Sequence, residues 1–404
     1  MRGSVDFLVR PLGALYFGPP RRFDAGVDHH GVTFFPPPQS AFQGMIRSQL
    51  LREAGVDLLR EKEKIAQLVG EPSRLPDGWQ IRGPLPARVV DDDGNERLEP
   101  WVPAPAFLYK EERPDQPSLK PASIFESGLP AVQASVPGVA LGLPRVPKAR
   151  PAGGWLSAQG LKEVLSGRSL DSDQVAKHWR TELPPFVEYE DQPGLALEPT
   201  RHGVARHGML YFLRKVRFRQ VSGGLISGFW GGLHISHGTQ GLPDLPLNGT
   251  LGAAGRKSLP VAFEKAPKPV KAWRSLVAGD HLPPEVGEDE RFWLMICTPV
   301  ALRAPREPLA IGRLPPEVRI EVDAVLTDKP TVEGGMSYTT QGMQIRPTRH
   351  LLPAGTTWLF RLVGGDGELR AQALRRIHAC HPLGEPEDAA FGYGYSLIGV
   401  LPNK

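Results

Sequence analysis

Three pairs of histidines stand at spacings that could hold a metal ion or move a proton: His29-His30, His234-x-x-His237, and His378-x-x-His381 with Cys380 inside it. A zinc site needs three or four nitrogen or sulfur ligands in one place, and sequence usually announces it as two separated ligand pairs. None of these pairs has a second pair at that spacing, and no carboxylates cluster beside them. Only two cysteines occur, Cys297 and Cys380, too few for a disulfide framework or a four-thiolate site. No metal and no other cofactor is expected, and the histidines read as surface or adventitious.

The basic residues are more patterned. Arg201, His202, Arg206 and His207 lead into an apolar run from 208, which then carries Arg214, Lys215, Arg217 and Arg219 among Tyr211, Phe212 and Phe218. Charge for a phosphate backbone and rings for bases is the composition of an RNA-binding sheet. A strand with one charged solvent face gives the same pattern, and the spacing is not that of an RNP motif; the two readings stand level. Arg21 and Arg22 fall in a Pro-rich loop ahead of a helix whose start, Ser40-Ala41-Phe42-Gln43, has the capping-box pattern with Ser40 as N-cap. Loop arginines can fork onto phosphates, and exposed N–H groups at the helix start would add an anion site. Arg47, off that helix's apolar stripe, reads as solvated. Arg256-Lys257 follow Gly252 and Gly255, small residues that would let a phosphate backbone come close. Arg346, Arg349 and His350 precede a Pro-Ala-Gly turn. In FGYGY at 391–395, Phe391 reads as core, while Tyr393 and Tyr395 could be stacking rings or turn residues.

The elements that must position these groups are mixed. The 404 residues are enough for two cores, and 40% hydrophobic with 23% charged residues is ordinary for a globular protein. The 45 glycines and 43 prolines, about a fifth of the chain, read as loops on folded domains rather than disorder. A net charge of +4 and a pI near 9.0 are compatible with a polyanion partner. No apolar stretch is long enough for a bilayer span and no signal-peptide core precedes the first strand, so a cytoplasmic protein without membrane contact is expected. Strands are expected at 5–9, 80–90, 98–102, 208–221, 291–302, 317–326, 357–363 and 395–401. Helices are expected from 40, at 157–166 and at 368–379. The acidic stretch 91–95 is a hairpin turn, and prolines recur through 112–151 without periodicity. Strands with a few helices and long insertions make an α+β protein of two domains, 1–205 with a Pro-rich insertion at about 112–195, and 206–404 with Gly-rich loops.

Four segments, in order, resemble one family: LYFGPPRRF with PPPQSAFQGMIRSQLL between 11 and 51, EPTRHGVARHGMLYFLRKVR at 198–217, LGAAGRKSLP at 251–260, and GGMSYTTQGMQIRPTRHLLPAGTTWLF at 334–360 followed by FGYGYSLIG. The order is similar to the third subunit of the Cmr complex, the type III-B CRISPR effector, a RAMP protein related to the Cas-five group. Roughly 100–195 lies outside the resemblance. His202-Gly203 and Ala253-Ala254 depart from the family pattern. The resemblance implies tandem ferredoxin-like (RRM-like) folds with Gly-rich loops and long Pro-rich insertions. It implies a non-catalytic subunit that holds the repeat-derived 5′ tag of the crRNA, docks the large polymerase/cyclase-like subunit and a backbone RAMP subunit, and meets target RNA only indirectly. The RNA contacts so implied are Arg21, Arg22, Ser40, Arg206, Arg256, Lys257, Arg346, Arg349, His350, Tyr393 and Tyr395. The rival expectation is a metal-independent repeat endoribonuclease. Related enzymes carry a general base between first strand and first helix, where this chain has His30, with Tyr16 or a lysine as helper.

Overall fold

A computed structural model describes residues 3–18, 30–57, 60–111, 117–126, 139–142, 149–197, 205–219, 226–236, 249–255, 259–302, 314–339 and 342–401. The architecture is mixed α+β and rich in strands. Two compact units are interleaved along the chain rather than consecutive, which replaces the single boundary expected near 205. The first takes residues 1–88, 185–266 and 332–350, and the second takes 89–184, 267–331 and 351–404.

In the first unit the strands Trp79–Asp92, Ser227–Ile235, Gly3–Pro11, Leu259–Lys265 and Thr250–Ala254 lie side by side in that order, each pair antiparallel. Helix Gln39–Glu53 buries Phe42, Met45, Ile46 and Leu50, the stripe expected from their spacing, with Phe42 stacked on Phe7 at 6.2 Å. The Gly-rich stretch after 222 is not simply a loop. Residues 227–235 form a strand inside this sheet, buried on both faces. Its glycines make room: a Cβ on Gly228 would stand 2.3 Å from the Val9 carbonyl oxygen, and one on Gly231 would stand 2.6 Å from the Phe42 ring. A second sheet joins Val187–Leu197 antiparallel to Ala205–Phe218, whose other edge pairs in parallel with the short strand His30–Val32. Two further strands of this unit, Thr331–Thr339 and Gly342–Leu351, pair with each other.

The second unit centres on an antiparallel sheet of Arg319–Leu326, Thr357–Val363, Arg291–Ile296 and Ser396–Val400. Its core gathers Phe292, Leu294, Trp358, Phe360 and Ile398 with Leu374 and Ile377 of helix Gly367–Ile377. Asp366 caps that helix by accepting the Leu369 N–H at 2.8 Å. The acidic turn forms as expected, with Asp93 and Gly94 at positive φ and Asp91 Oδ1 accepting the Gly94 N–H at 2.7 Å. The segment expected as an insertion at about 112–195 contributes core instead. Trp155, Leu156, Leu161, Val164, Leu165 and Leu170 are buried there, and helix Ala158–Leu165 is capped by Ser157. Among the described residues no helix is long and apolar enough to cross a membrane.

Candidate nucleic-acid interface

The first two family-like segments and the described parts of the third fall in the first unit with the start of the fourth, whose remainder from 351 on belongs to the second unit. After the first strand the chain pairs Leu15 with Val216 of strand Ala205–Phe218, through N···O distances of 2.7 and 2.9 Å. Phe17 donates its N–H to Thr33 Oγ1 at 2.9 Å. Arg52, just past the first segment, donates to the Leu251 carbonyl at 3.0 Å. Gly255, at φ +66°, packs so close to the Tyr16 carbonyl that a Cβ would stand 2.6 Å from it. Gly252 likewise faces the Phe263 ring. These two glycines therefore admit the protein's own backbone and ring rather than a phosphate backbone. Arg256 and Lys257, like Arg21 and Arg22, lie outside the described residues.

The helix start differs from its expected form. Its N-cap is Pro38, whose carbonyl accepts the N–H groups of Ala41 and Phe42 at 3.0 Å each, so Ser40 lies inside the first turn and makes no cap. The anion position there is occupied by the protein itself: the Ser40 N–H donates to Glu333 Oε1 at 3.0 Å. Glu333 lies on strand Thr331–Thr339, immediately before the fourth segment, so this strand is tied to the start of the first-segment helix. Gln43 does turn back as a capping box would have it, but onto the Ser40 carbonyl, at 3.1 Å.

Arg47 was expected in solvent and is largely buried. It donates to Gln43 Oε1 at 3.0 Å and to the carbonyls of Gly70 and Glu71 at 2.7 and 2.9 Å. Burial, helped by the nearby Arg346 charge, lowers its pKa to about 10. Arg346 donates to the Pro72 carbonyl at 3.2 Å. Arg349 is half-buried and His350 exposed on the same strand.

The basic strand is matched by an acidic neighbour that periodicity had not revealed. Arg214 forks onto Asp191 at 2.9 and 3.0 Å, Arg217 pairs with Glu190, and Arg219 pairs with Glu188. The bond from Arg217 holds the Glu190 carboxyl below its usual range, and the bond from Arg214 does the same for Asp191. These arginines present a solvated ladder of ion pairs more than a naked positive stripe. An acidic run at 188–191 opposite a basic run at 214–219 was the available signal. The Arg206 side chain lies outside the described residues. Of the rings, Phe218 packs edge-on to Phe229 at 4.8 Å in the core, Tyr211 lies over Gly194, and Phe212 stacks with His30 at 5.4 Å and 14°. Tyr16 is buried, so it does not join His30 as a solvent-open helper.

Tyr393 and Tyr395 do not offer rings to bases. They are 4% and 2% exposed in the second unit's core, where Thr298 ties their turn by donating to the Gly392 carbonyl at 2.7 Å and accepting the Tyr395 N–H at 2.9 Å. His378 and His381 are buried beside them. Among the described residues no group of three or more His, Cys, Asp or Glu is placed to hold a metal ion.

Two solved structures are similar to the chain. They are described as the cryo-EM structures of the Type III-B Cmr-beta bound to cognate target RNA, one also with AMPPnP in state 1. Each match has 11% identity and covers 88% of this chain and 86% of that chain, with TM-scores of 0.42 for the AMPPnP structure and 0.41 for the other. No curated protein matches. The sequence model of the family described as CRISPR-associated protein (Cas_Cmr3) matches residues 7–401, nearly the whole length. The chain belongs to the Cas_Cmr3 family of CRISPR-associated proteins.

Proposed function

We propose that this protein is a non-catalytic subunit of a type III-B CRISPR ribonucleoprotein effector. In this reading it binds the 5′ repeat-derived tag of the crRNA, docks the large polymerase/cyclase-like subunit and a backbone RAMP subunit, and meets target RNA only through them. Its units are then two variants of the ferredoxin-like fold. The observation that carries this reading is convergence. Segments as distant as Ser40 and Glu333, 293 residues apart, are hydrogen-bonded to each other. Strand Gly342–Leu351, with Arg346, Arg349 and His350 and no acidic residue, belongs to the same unit as the first-segment helix. A basic extended strand set beside the family's helix suits a single-stranded RNA backbone.

The test is a titration of the assembled complex with tagged crRNA and with crRNA whose tag is scrambled. Tighter binding of the tagged guide is expected; equal affinity removes tag recognition. The same purified protein should leave repeat RNA intact in chelator. A discrete product that disappears in His30→Ala would overturn the non-catalytic assignment.

A further inference from the structure

The central sheet of the second unit ends at strand Ser396–Val400, whose one ladder partner among the described strands is Arg291–Ile296. The other edge of such a strand carries backbone groups that invite a further strand. Here one carbonyl and two imidazoles stand where that strand would lie. The Ser396 N–H donates to the Cys380 carbonyl at 2.8 Å. The Ile398 N–H donates to His378 Nδ1 at 3.0 Å, and the Ile398 carbonyl accepts from His281 Nε2 at 2.7 Å. Ala379 holds φ +50°, a left-handed conformation uncommon for a residue with a Cβ, and turns the chain between His378 and Cys380.

The bond to Nδ1 exists only while the His378 ring is neutral, because a proton there sets donor against donor. His281 keeps its bond to the Ile398 carbonyl in either state, so a charge on it acts on His378 across the 5.5 Å between the rings. Around the pair, Asp280 favours a proton on His281, while Lys162 and Arg168 oppose one. Further along the same turn, Cys380 Sγ donates to the Arg376 carbonyl at 3.3 Å, and the His381 ring lies 5.3 Å from that of Tyr395. We infer that His378, with His281 beside it, is a proton-operated guard over this edge, and that the edge it releases pairs with the same strand of a second copy of this chain. The strand suits itself as a partner. Residues 391–401 hold no charged residue and no proline, the devices that ordinarily block edge pairing. Antiparallel pairing about Ile398, the central residue of Ser396–Val400, sets Ile398 against Ile398. The two copies then exchange the N–H and C=O that the imidazoles hold, as a two-fold interface requires. The inference rests on the fold of the second unit and not on the function proposed above.

Burial holds the His378 pKa at about 4 in the closed state, against 6.5 for a free ring, so the opened state takes the proton first and opening is favoured as pH falls from 6.5 towards 4. The opening equilibrium at pH 5 should stand about 30-fold above its value at pH 8. The full chain is followed at both pH values and one ionic strength. Sedimentation velocity over a concentration series reads association, and hydrogen exchange on dilute protein, corrected for intrinsic rates, reads opening. The wild type should be monomeric at pH 8 and form a concentration-dependent dimer at pH 5, with faster opening confined to 378–381 and 396–400. His378→Asn, which cannot take the proton, should stay monomeric at pH 5 and lose the pH dependence of opening. A wild type that stays monomeric at pH 5, or association there that persists in His378→Asn, overturns the inference. Should the variant fail to fold, wild-type exchange decides. Opening confined to those two segments, together with the dimer, upholds the guard; equal acceleration in Thr357–Val363 means that the whole sheet unfolds, and overturns it.

Discussion

Acid should loosen the second unit at one identifiable side chain. His378 is buried, and its two ring nitrogens have opposite duties: Nε2 donates to the Leu276 carbonyl at 2.8 Å, and Nδ1 accepts the Ile398 N–H at 3.0 Å. Only the neutral ring can do both. A proton on Nδ1 would face the Ile398 N–H, donor against donor. The His281 ring stands 5.5 Å away and donates to the Ile398 carbonyl at 2.7 Å, so both backbone groups of Ile398 are bonded by imidazoles. Burial is the main reason the His378 pKa falls from 6.5 to about 4. Because the folded value is the lower one, the unfolded chain binds the proton first. The stability His378 supplies is therefore complete above about pH 6.5, falls as pH drops from there towards 4, and changes no further below 4. At 1.36 kcal/mol per pH unit the whole effect is about 3 kcal/mol, of which about 2 kcal/mol is lost by pH 5. That is a sizeable part of a typical domain's ~5–15 kcal/mol. The assay is urea denaturation from pH 8 to pH 4.5 at constant ionic strength, followed by tryptophan fluorescence, since Trp293 and Trp358 lie in the same sheet as Ile398. His378→Asn keeps an acceptor near Nδ1 but cannot titrate. It should lower stability at pH 8 by a constant amount, through the lost Leu276 bond, and flatten the fall between pH 6.5 and 5. If the variant and the wild type lose stability in parallel over that range, His378 is not the buried neutral group described here.

Three further outcomes follow from named contacts. Ser40→Ala should change stability by less than about 0.5 kcal/mol, because the side chain makes no cap, whereas loss of a working Ser N-cap costs about 1 kcal/mol; chemical denaturation decides. Gly228→Ala should destabilise the first unit by about 2 kcal/mol or more, since its Cβ would meet the Val9 carbonyl oxygen at 2.3 Å in a sheet that cannot easily shift; a near-neutral Tm would refute the buried strand. In the assembled complex, Arg349→Ala should weaken guide binding and flatten the salt dependence by about one unit or less, while Tyr395→Phe should leave both unchanged because the ring is buried.

Local chemistry was legible from the residues alone. The Asp91–Asn95 turn follows from side chains that tolerate positive φ and bond their own backbone, and the stripe of Phe42, Met45, Ile46 and Leu50 follows from helical geometry. The α+β mixture and the family resemblance were legible too, because apolar periodicity and motif order are properties of sequence. What only the tertiary structure decided are matters of pairing and burial. Residues 227–235 became a central strand because strands pair along both of its edges and both of its faces are buried, which erases the alternation that marks a half-exposed strand. The basic run at 214–219 became a ladder of ion pairs because the 187–197 strand lies beside it in register. The helix start is filled by Glu333 and the Pro72 carbonyl is held by Arg346, in each case by contact between residues more than 270 positions apart. Tyr393 and Tyr395 look the same in sequence whether they face bases or a core; the chain packed around them put them in the core. Spacing along a chain describes neighbours in sequence, and desolvation and charge pairing depend on neighbours in space.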